Sequence, residues 1–254
     1  MKFHILASGS QGNSLLIESQ KAKVLIDCGI TFKKIKEKLL KLNVSLEELD
    51  AVLITHGHTD HVRCLTNISK IVPVFMSSKL FKELQYKKKL DSNSKVRFFS
   101  HKEPFCIGDI LISAIPVVHD CIDPVGFVLE SRGEKFAVLT DIGIITEDIK
   151  EALKKCTKIF IEANHDINLL SQSKRPWFLK DRILKNNGHL SNRNAGRLIS
   201  SVYEPFLKEV ILMHLSEECN MPDLAIKTVL EELENNGISC LNIKAASRDG
   251  LHVL

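Results

Sequence analysis

The stretch "THGHTDHV" places His56, His58, Asp60 and His61 within six residues, directly after the apolar run "AVLI". Three imidazoles and a carboxylate at this spacing are a metal-ligand set. His56 and His58 are two apart, so at a strand end they point to one side and can grip one ion. Asp60 opens a helical pattern and, with His61, turns toward a second position. Nitrogen and oxygen donors in this ratio suit zinc, manganese or iron, and are too rich in nitrogen for magnesium or calcium alone. Four ligands in one loop cannot saturate two ions, and three further polar residues each end an apolar run. His119 follows "ISAIPVV", Asp141 follows "KFAVLT" and His214 follows "EVILM". Taken singly, each also reads as a backbone-bonded strand end or a turn cap. Three of them in order after the first cluster favour a metal site.

The elements that must position these residues are legible as short β-type runs from end to end. They include "FHILA", "SLLIES", "KVLIDCG", "VGFVLES", "KIFIEA" and "LNIKA". Amphipathic helical patterns fall between several of them: "TFKKIKEKLLKL", "EDIKEALKK", "NAGRLISSVYEPF" and "PDLAIKTVLEEL". The first half is richer in hairpin-like pairs, with "SRGEK" as a turn, and the second alternates helix and strand as βαβ units do. No repeat or low-complexity tract interrupts 254 residues, which predicts one α/β domain spanning residues 1–254. The strands are too many for one open sheet, so two packed sheets with outer helices are expected.

Composition sets outer limits. Hydrophobic residues make up 44% and charged residues 26%, an ordinary balance for a soluble globular chain. The apolar runs are strand-sized, too short to span a bilayer, and "MKFHILASGS" is too weakly apolar for a secretory signal. Seven cysteines, an odd number without a Cys-x-x-Cys pair, argue against a disulfide framework and for a reducing, cytoplasmic setting. The net charge of +4 permits a polyanionic partner without demanding one; the cations concentrate in "YKKKL", "SKVRFFSHK" and residues 174–197.

The set "THGHTDH", "VVHD", "LTDIG" and "LMHLS" resembles the signature of the metallo-β-lactamase fold. With "ASGSQGNS", "LIDCG", "EANHD", "PWFLKDRI" and "GHLSN", the chain resembles the WalJ/YycJ/VicX family over nearly its whole length. The resemblance implies a four-layer αβ/βα sandwich of two mixed β-sheets with outer helices, and DNA exonuclease activity. It also implies two divalent ions per chain, zinc or manganese with iron as a further candidate. His56, His58 and His119 would hold one ion and Asp60, His61 and His214 the other, with Asp141 bridging. Gly57 stands where an acidic or large residue is common in this fold family, a change that bears on access more than on ligation. Asp27 and Thr55 would orient metal-bound histidines from behind; for Asp27 a turn cap before Gly29 is the competing role. The loop "SGSQGNS" could lend backbone N–H groups to an anion.

Two ions about 3.5–4 Å apart can share a hydroxide and polarise the atom attacked, which serves amides, thioesters or phosphodiesters alike. The stretch "GHLSNRNAGR" favours the last. A phosphodiester has a poor leaving group and gains charge in the transition state, and His189 would serve as acid or charge stabiliser. Glu162 resembles the tRNase Z glutamate that pairs with the equivalent histidine. Ser191 could cap the helix that follows, with Asn192 beside it, and a helix N-terminus favours a phosphate. Arg193, Arg197, Lys180 and Arg182 suit phosphate contact and Trp177 base stacking, against a solvated helix face and a core anchor as the plainer roles. His165, in "ANHD", belongs to the same substrate-side group without an assigned task. The expectation is a metal-dependent exonuclease acting on nucleic acid, DNA first, with no membrane partner. A small-molecule thioesterase or lactonase is the first alternative and a metal-binding protein without turnover the second.

Overall fold

In the computed structural model, which describes residues 1–247, 250 and 252–253, the chain forms two compact units. The first comprises residues 1–114, 121–125 and 248–254; the second comprises 115–120 and 126–247.

The first unit is built on a seven-stranded sheet. Its strands are β1 (Lys2–Ala7), β2 (Ser14–Glu18), β3 (Lys23–Ile26), β4 (Ala51–Leu53), β5 (Val74–Met76), β6 (Val96–Phe98) and, from the chain end, β14 (His252–Val253). The order is β14-β1-β2-β3-β4-β5-β6. Strands β14 to β3 pair antiparallel, and β3 to β6 pair parallel. The parallel half needs crossovers, and short helices supply them: α1 (Phe32–Lys41), α2 (Thr59–Val62), α3 (Leu65–Ile68) and α4 (Ser78–Tyr86). Helix α1 is capped by the Thr31 hydroxyl, which accepts from the Lys34 N–H, and buries Ile35 and Leu39 among Leu16, Leu25 and Val52 of the sheet. The hairpin β7 (Phe105–Ile107) and β8 (Ile110–Pro116) turns on Gly108.

The second unit carries strands β9 (Val125–Ser131), β10 (Glu134–Leu139), β11 (Lys158–Glu162), β12 (Glu209–Met213) and β13 (Asn242–Ala245), adjacent in that order. Arg132 and Gly133, both at positive φ, make the β9–β10 hairpin that "SRGEK" predicts. From β10 onward the pairing is parallel, with helices α5 (Glu147–Leu153), α6 (Ile167–Gln172), α7 (Trp177–Leu184), α8 (Asn192–Val202) and α9 (Pro222–Glu234) in the crossovers. Strands β10 to β12 are near-continuous apolar runs, as buried parallel strands are. Ala137, Ile159, Ile161, Val210 and Leu212 pack with Leu198 and Ile199 of α8 and Val229 of α9.

The fold class is therefore the expected one, two mixed sheets flanked by helices. Helices α4, α6 and α7 and strands β6 and β7 were not legible as elements. Helix α7 is mixed: only Ile183 is buried on it, while Trp177 and Phe178 are 76% and 72% exposed, so its apolar residues mark no single stripe. The core-anchor role for Trp177 is excluded by that exposure. None of the described helices is long and apolar enough to cross a membrane, and all seven cysteines are free thiols.

Candidate metal centre

Three site residues sit just past strand ends in left-handed backbone: Asp27 after β3, Asp141 after β10 and His214 after β12, with φ between 56° and 59°. Non-glycine residues pay about 1 kcal/mol or more for that conformation, and they keep it where surrounding contacts over-determine it. The contacts around each are therefore informative.

In the first unit, Asp27 is buried and accepts from the Thr55 backbone N–H at 2.9 Å, the Thr55 hydroxyl at 2.8 Å and His61 Nδ1 at 2.7 Å. Having given its hydrogen to Asp27, the Thr55 oxygen can accept from His56 Nδ1, 3.0 Å away. Both Nδ1 atoms thus carry hydrogen and both Nε2 atoms present a lone pair, that of His61 toward the Asn13 amide nitrogen, the way carboxylates and hydroxyls orient metal-bound imidazoles. Asp27 and Thr55 thus make the hydrogen bonds to His61 and His56 that an orienting role requires. The rings of His56 and His58 lie 4.8 Å apart and those of His56 and His61 4.1 Å apart, with Asp60 Oδ2 3.5 Å from His61 Nε2.

Asn13 completes this half and was missed in the sequence. Its amide nitrogen lies 3.0 Å from His61 Nε2 and 3.4 Å from Asp60 Oδ2, presenting N–H hydrogens to two candidate ligand atoms. It is fixed by Gly9, whose N–H donates to Asn13 Oδ1, and by the Asn13 N–H donating to the Asp60 carbonyl. In "SGSQGNS" the N–H groups of Gly9, Gly12 and Asn13 are spent inside the protein, and the loop also contributes a side chain. Gly29 is obligatory here, since a Cβ would stand 1.5 Å from the Asp60 carbonyl oxygen. A side chain at Gly57 would meet Leu80 and Glu83 of α4 at 3.1 and 3.2 Å.

In the second unit, Asp141, Glu162, His189 and His214 bring one donor atom each within 4.8 Å of one another. Glu162, fully buried at the end of β11, organises them. Its Oε1 accepts from His189 Nδ1 at 2.8 Å and His214 Nδ1 at 2.9 Å, and its Oε2 from the Ile142 and Leu190 N–H groups, each at 3.0 Å. Burial pushes its carboxyl pKa up, but the His189 charge and the two imidazole hydrogen bonds outweigh it and hold Glu162 below the usual carboxylate range. An ionised carboxylate only accepts, so both Nδ1 atoms carry hydrogen. His214 then offers its Nε2 lone pair, and His189 has Nε2 as the site where a proton can be gained or given. His119 is oriented by the same device: its Nδ1 bonds the Gly188 carbonyl at 3.0 Å, and its Nε2 lies 3.6 Å from Asp141 Oδ1. Asn164 donates to the His214 carbonyl at 2.9 Å, another support the sequence did not flag.

The remaining candidates are placed less uniformly. Ser191 caps α8, accepting from the Asn194 N–H at 3.2 Å, and Asn192 is buried, exchanging amide hydrogen bonds with Asn220. Arg193 and Arg197 both pair with Glu232, Lys180 donates to the Ser171 carbonyl and Arg182 pairs with Asp120. His165 is buried, bridges Ser191 through the backbone and has its pKa lowered by that burial to about 4. The donor set fits divalent transition metals: His56, His61, His119 and His214 each have Nδ1 committed to an acceptor, as metal-bound imidazoles do.

Comparisons with known proteins place the chain in a family. Residues 22–215 match the model of the β-lactamase superfamily domain. Exodeoxyribonuclease WalJ of Streptococcus pneumoniae is 34% identical over 237 residues, 91% of this chain and 88% of that protein. Exodeoxyribonuclease YycJ of Bacillus anthracis is 29% identical over 239 residues, 93% and 90% of the two chains. Among solved structures, the metallo-β-lactamase fold protein YhfI of Bacillus subtilis superposes with a TM-score of 0.74 over 97% of this chain and 96% of its own, at 16% identity. The chain therefore belongs to the β-lactamase superfamily and, within it, to the family of WalJ and YycJ.

Proposed function

We propose that this protein is a cytoplasmic two-metal phosphodiesterase that hydrolyses nucleic acid, and specifically a DNA exonuclease. The observation that carries the reading is the sharing of one buried carboxylate oxygen, Glu162 Oε1, by His189 and His214. It ties a histidine suited to proton transfer to a histidine suited to metal ligation. The relatives named exodeoxyribonucleases support the substrate class.

In this reading residues 1–254 act as one domain. The ligands are His56, His58 and His119 for one ion and Asp60, His61 and His214 for the other, with Asp141 shared; the superfamily match spans all seven. Bound divalent ions supply Lewis acidity there, activating water and neutralising charge on the phosphate. The chain's own residues do the rest. Asp27 and Glu162 fix the imidazole tautomers. His189, held through Nδ1 by the Glu162 carboxylate, faces the phosphate and in its protonated form gives its Nε2 proton to the departing alkoxide. Asp60 assists with proton handling at the attacking side. Ser191, Asn192 and the N-terminus of α8 face the anion's charge, while Arg193, Lys180 and Arg182 are the phosphate contacts and exposed Trp177 a stacking surface for a base. The arginines' present ion-pair partners are acids that a phosphate must outcompete.

The test is incubation of metal-loaded protein with end-labelled single- and double-stranded DNA and RNA oligonucleotides. Stepwise shortening of DNA from an end is expected. Hydrolysis of thioesters or lactones with no effect on any oligonucleotide would move the chain to the small-molecule class.

A further inference from the structure

Two cavities of the second unit share His165 and Ile167 as a wall. The first, about 300 Å³, is lined by His189, Ser191, Asn186 and Asn194, and no carboxylate reaches it. The second, about 290 Å³, lies among α6, α8 and α9. Its charged lining is balanced, Arg193 and Lys227 against Asp166 and Glu231, and its other polar groups are the uncharged Asn168, Asn192 and Thr228.

The two linings select different chemistry. A phosphate gains nothing from a cavity whose charges cancel, whereas the first cavity offers it the capped N-terminus of an eleven-residue helix and His189, whose bond to Glu162 is made through Nδ1 and leaves Nε2 for the anion. Amides, a hydroxyl and an imidazole match instead a flat group with donors and acceptors on its edges. The partition itself is poised for such a group. His165 is only 2% exposed, and its Nδ1 has no hydrogen-bond partner among the described residues. A buried polar atom in that state is destabilising, a deficit that a ligand's polar edge can remove. Burial also keeps the ring neutral at physiological pH, so it can both donate and accept. The volume sits at the small end of ligand sites, roughly 300 Å³ and above, the size for one nucleoside rather than a longer strand.

We propose that the second cavity receives the nucleobase of the nucleotide whose phosphate lies beside His189, with His165 as the shared wall that contacts the base. The inference rests on the nuclease reading for the identity of the ligand, but its binding site can be tested without turnover. His165 then sets how well a nucleotide is held for hydrolysis, and a strand end lacking its base loses that hold.

The experiment uses the metal-loaded full chain and calorimetric titration with dAMP, dCMP, deoxyribose 5-phosphate and inorganic phosphate. Thr228→Trp, on the half-buried face of α9, fills the cavity; Asn168→Trp, at an exposed position of α6, fills it from the other side. The parent should bind the nucleotides at least about tenfold more tightly than deoxyribose 5-phosphate, equivalent to about 1.4 kcal/mol. Both variants should lose that preference while binding inorganic phosphate as the parent does. In parallel, oligonucleotides ending in a normal or an abasic residue should be cleaved at different rates by the parent and at one common slow rate by the variants. If the oligonucleotides are cleaved but a missing base changes neither binding nor rate, or if both folded variants keep the preference, the cavity is not a base site. If no oligonucleotide is cleaved yet the preference for nucleotides disappears in the variants, the site stands and the nuclease reading falls.

Discussion

Replacing Glu162 by glutamine changes one atom's hydrogen-bonding sense and little volume, which makes its consequences calculable. All four partners of the native carboxylate are donors: His189 Nδ1, His214 Nδ1 and the N–H groups of Ile142 and Leu190. Glutamine has one acceptor oxygen and one NH₂, so in either orientation its NH₂ faces two donors. Aimed at the backbone, it leaves two buried N–H groups without acceptors. Aimed at the imidazoles, it forces hydrogen onto Nε2 of His214, the atom needed for a metal. The first orientation loses two hydrogen bonds to a charged group, roughly 1.5–3 kcal/mol each, so the fold loses roughly 3–6 kcal/mol; the second keeps the contacts but fixes the wrong tautomer, so its cost falls on metal affinity. Burying a neutral group in place of a carboxylate works in the opposite direction, but the His189 and His214 rings then lose their counter-charge in a buried place. For a chain of this length the melting temperature of metal-free protein should fall by roughly 10 °C or more. Zinc affinity should fall roughly 10–100-fold. Circular-dichroism melts with chelator and competitive zinc titrations read both quantities. A Glu162→Gln protein that melts within about 2 °C of the parent and binds zinc as tightly would refute the claim that Glu162 sets the tautomers.

Asp27→Asn acts on the other half-site, where the amide NH₂ must face either the Thr55 backbone N–H at Oδ1 or the Thr55 hydroxyl and His61 Nδ1 at Oδ2; metal affinity should drop roughly tenfold or more, read by the same zinc competition. His165 has a folded pKa of about 4 against 6.5 unfolded, so its neutral form stabilises the fold above pH 6.5, and that stability is lost as pH falls from 6.5 toward 4. The unfolding free energy of the parent relative to His165→Asn, from urea titrations, should therefore decline by roughly 3 kcal/mol across that window; a flat difference would mean the ring is not buried as described. A Lys180→Ala/Arg182→Ala double variant should bind oligonucleotides with a salt slope shallower by roughly 1–2, and an unchanged slope would clear both residues of phosphate contact.

Much of the fold and the candidate ligands could be read from the chain because each depends on short-range pattern. Hairpin strands alternate with turn residues, buried parallel strands are unbroken apolar runs, and His119, Asp141 and His214 betray themselves by ending such runs. Helix α7 escaped notice because its aromatic residues are exposed and its buried face is a single isoleucine. Asn13 and Asn164 were invisible for another reason. Their part in the site comes from partners 47 to 50 residues away, and an asparagine near glycine or histidine carries no spacing of its own. The spending of the "SGSQGNS" amides inside the protein likewise depends on the carbonyl of Asp60, which only the folded chain brings there. The left-handed backbone of Asp27, Asp141 and His214 is a tertiary effect too, since nothing in the side chain of a histidine favours it.

The central claim is that a metal-dependent nuclease uses His189 for chemistry and not for ligation. It is tested most directly by measuring metal content and DNA hydrolysis on the same preparation of His189→Ala. The seven proposed ligands remain in that variant, so it should retain two ions per chain, as counted by elemental analysis, while turnover on end-labelled DNA falls roughly 100-fold or more. A His189→Ala protein that loses an ion, or that shortens DNA at the parent's rate, would contradict the account.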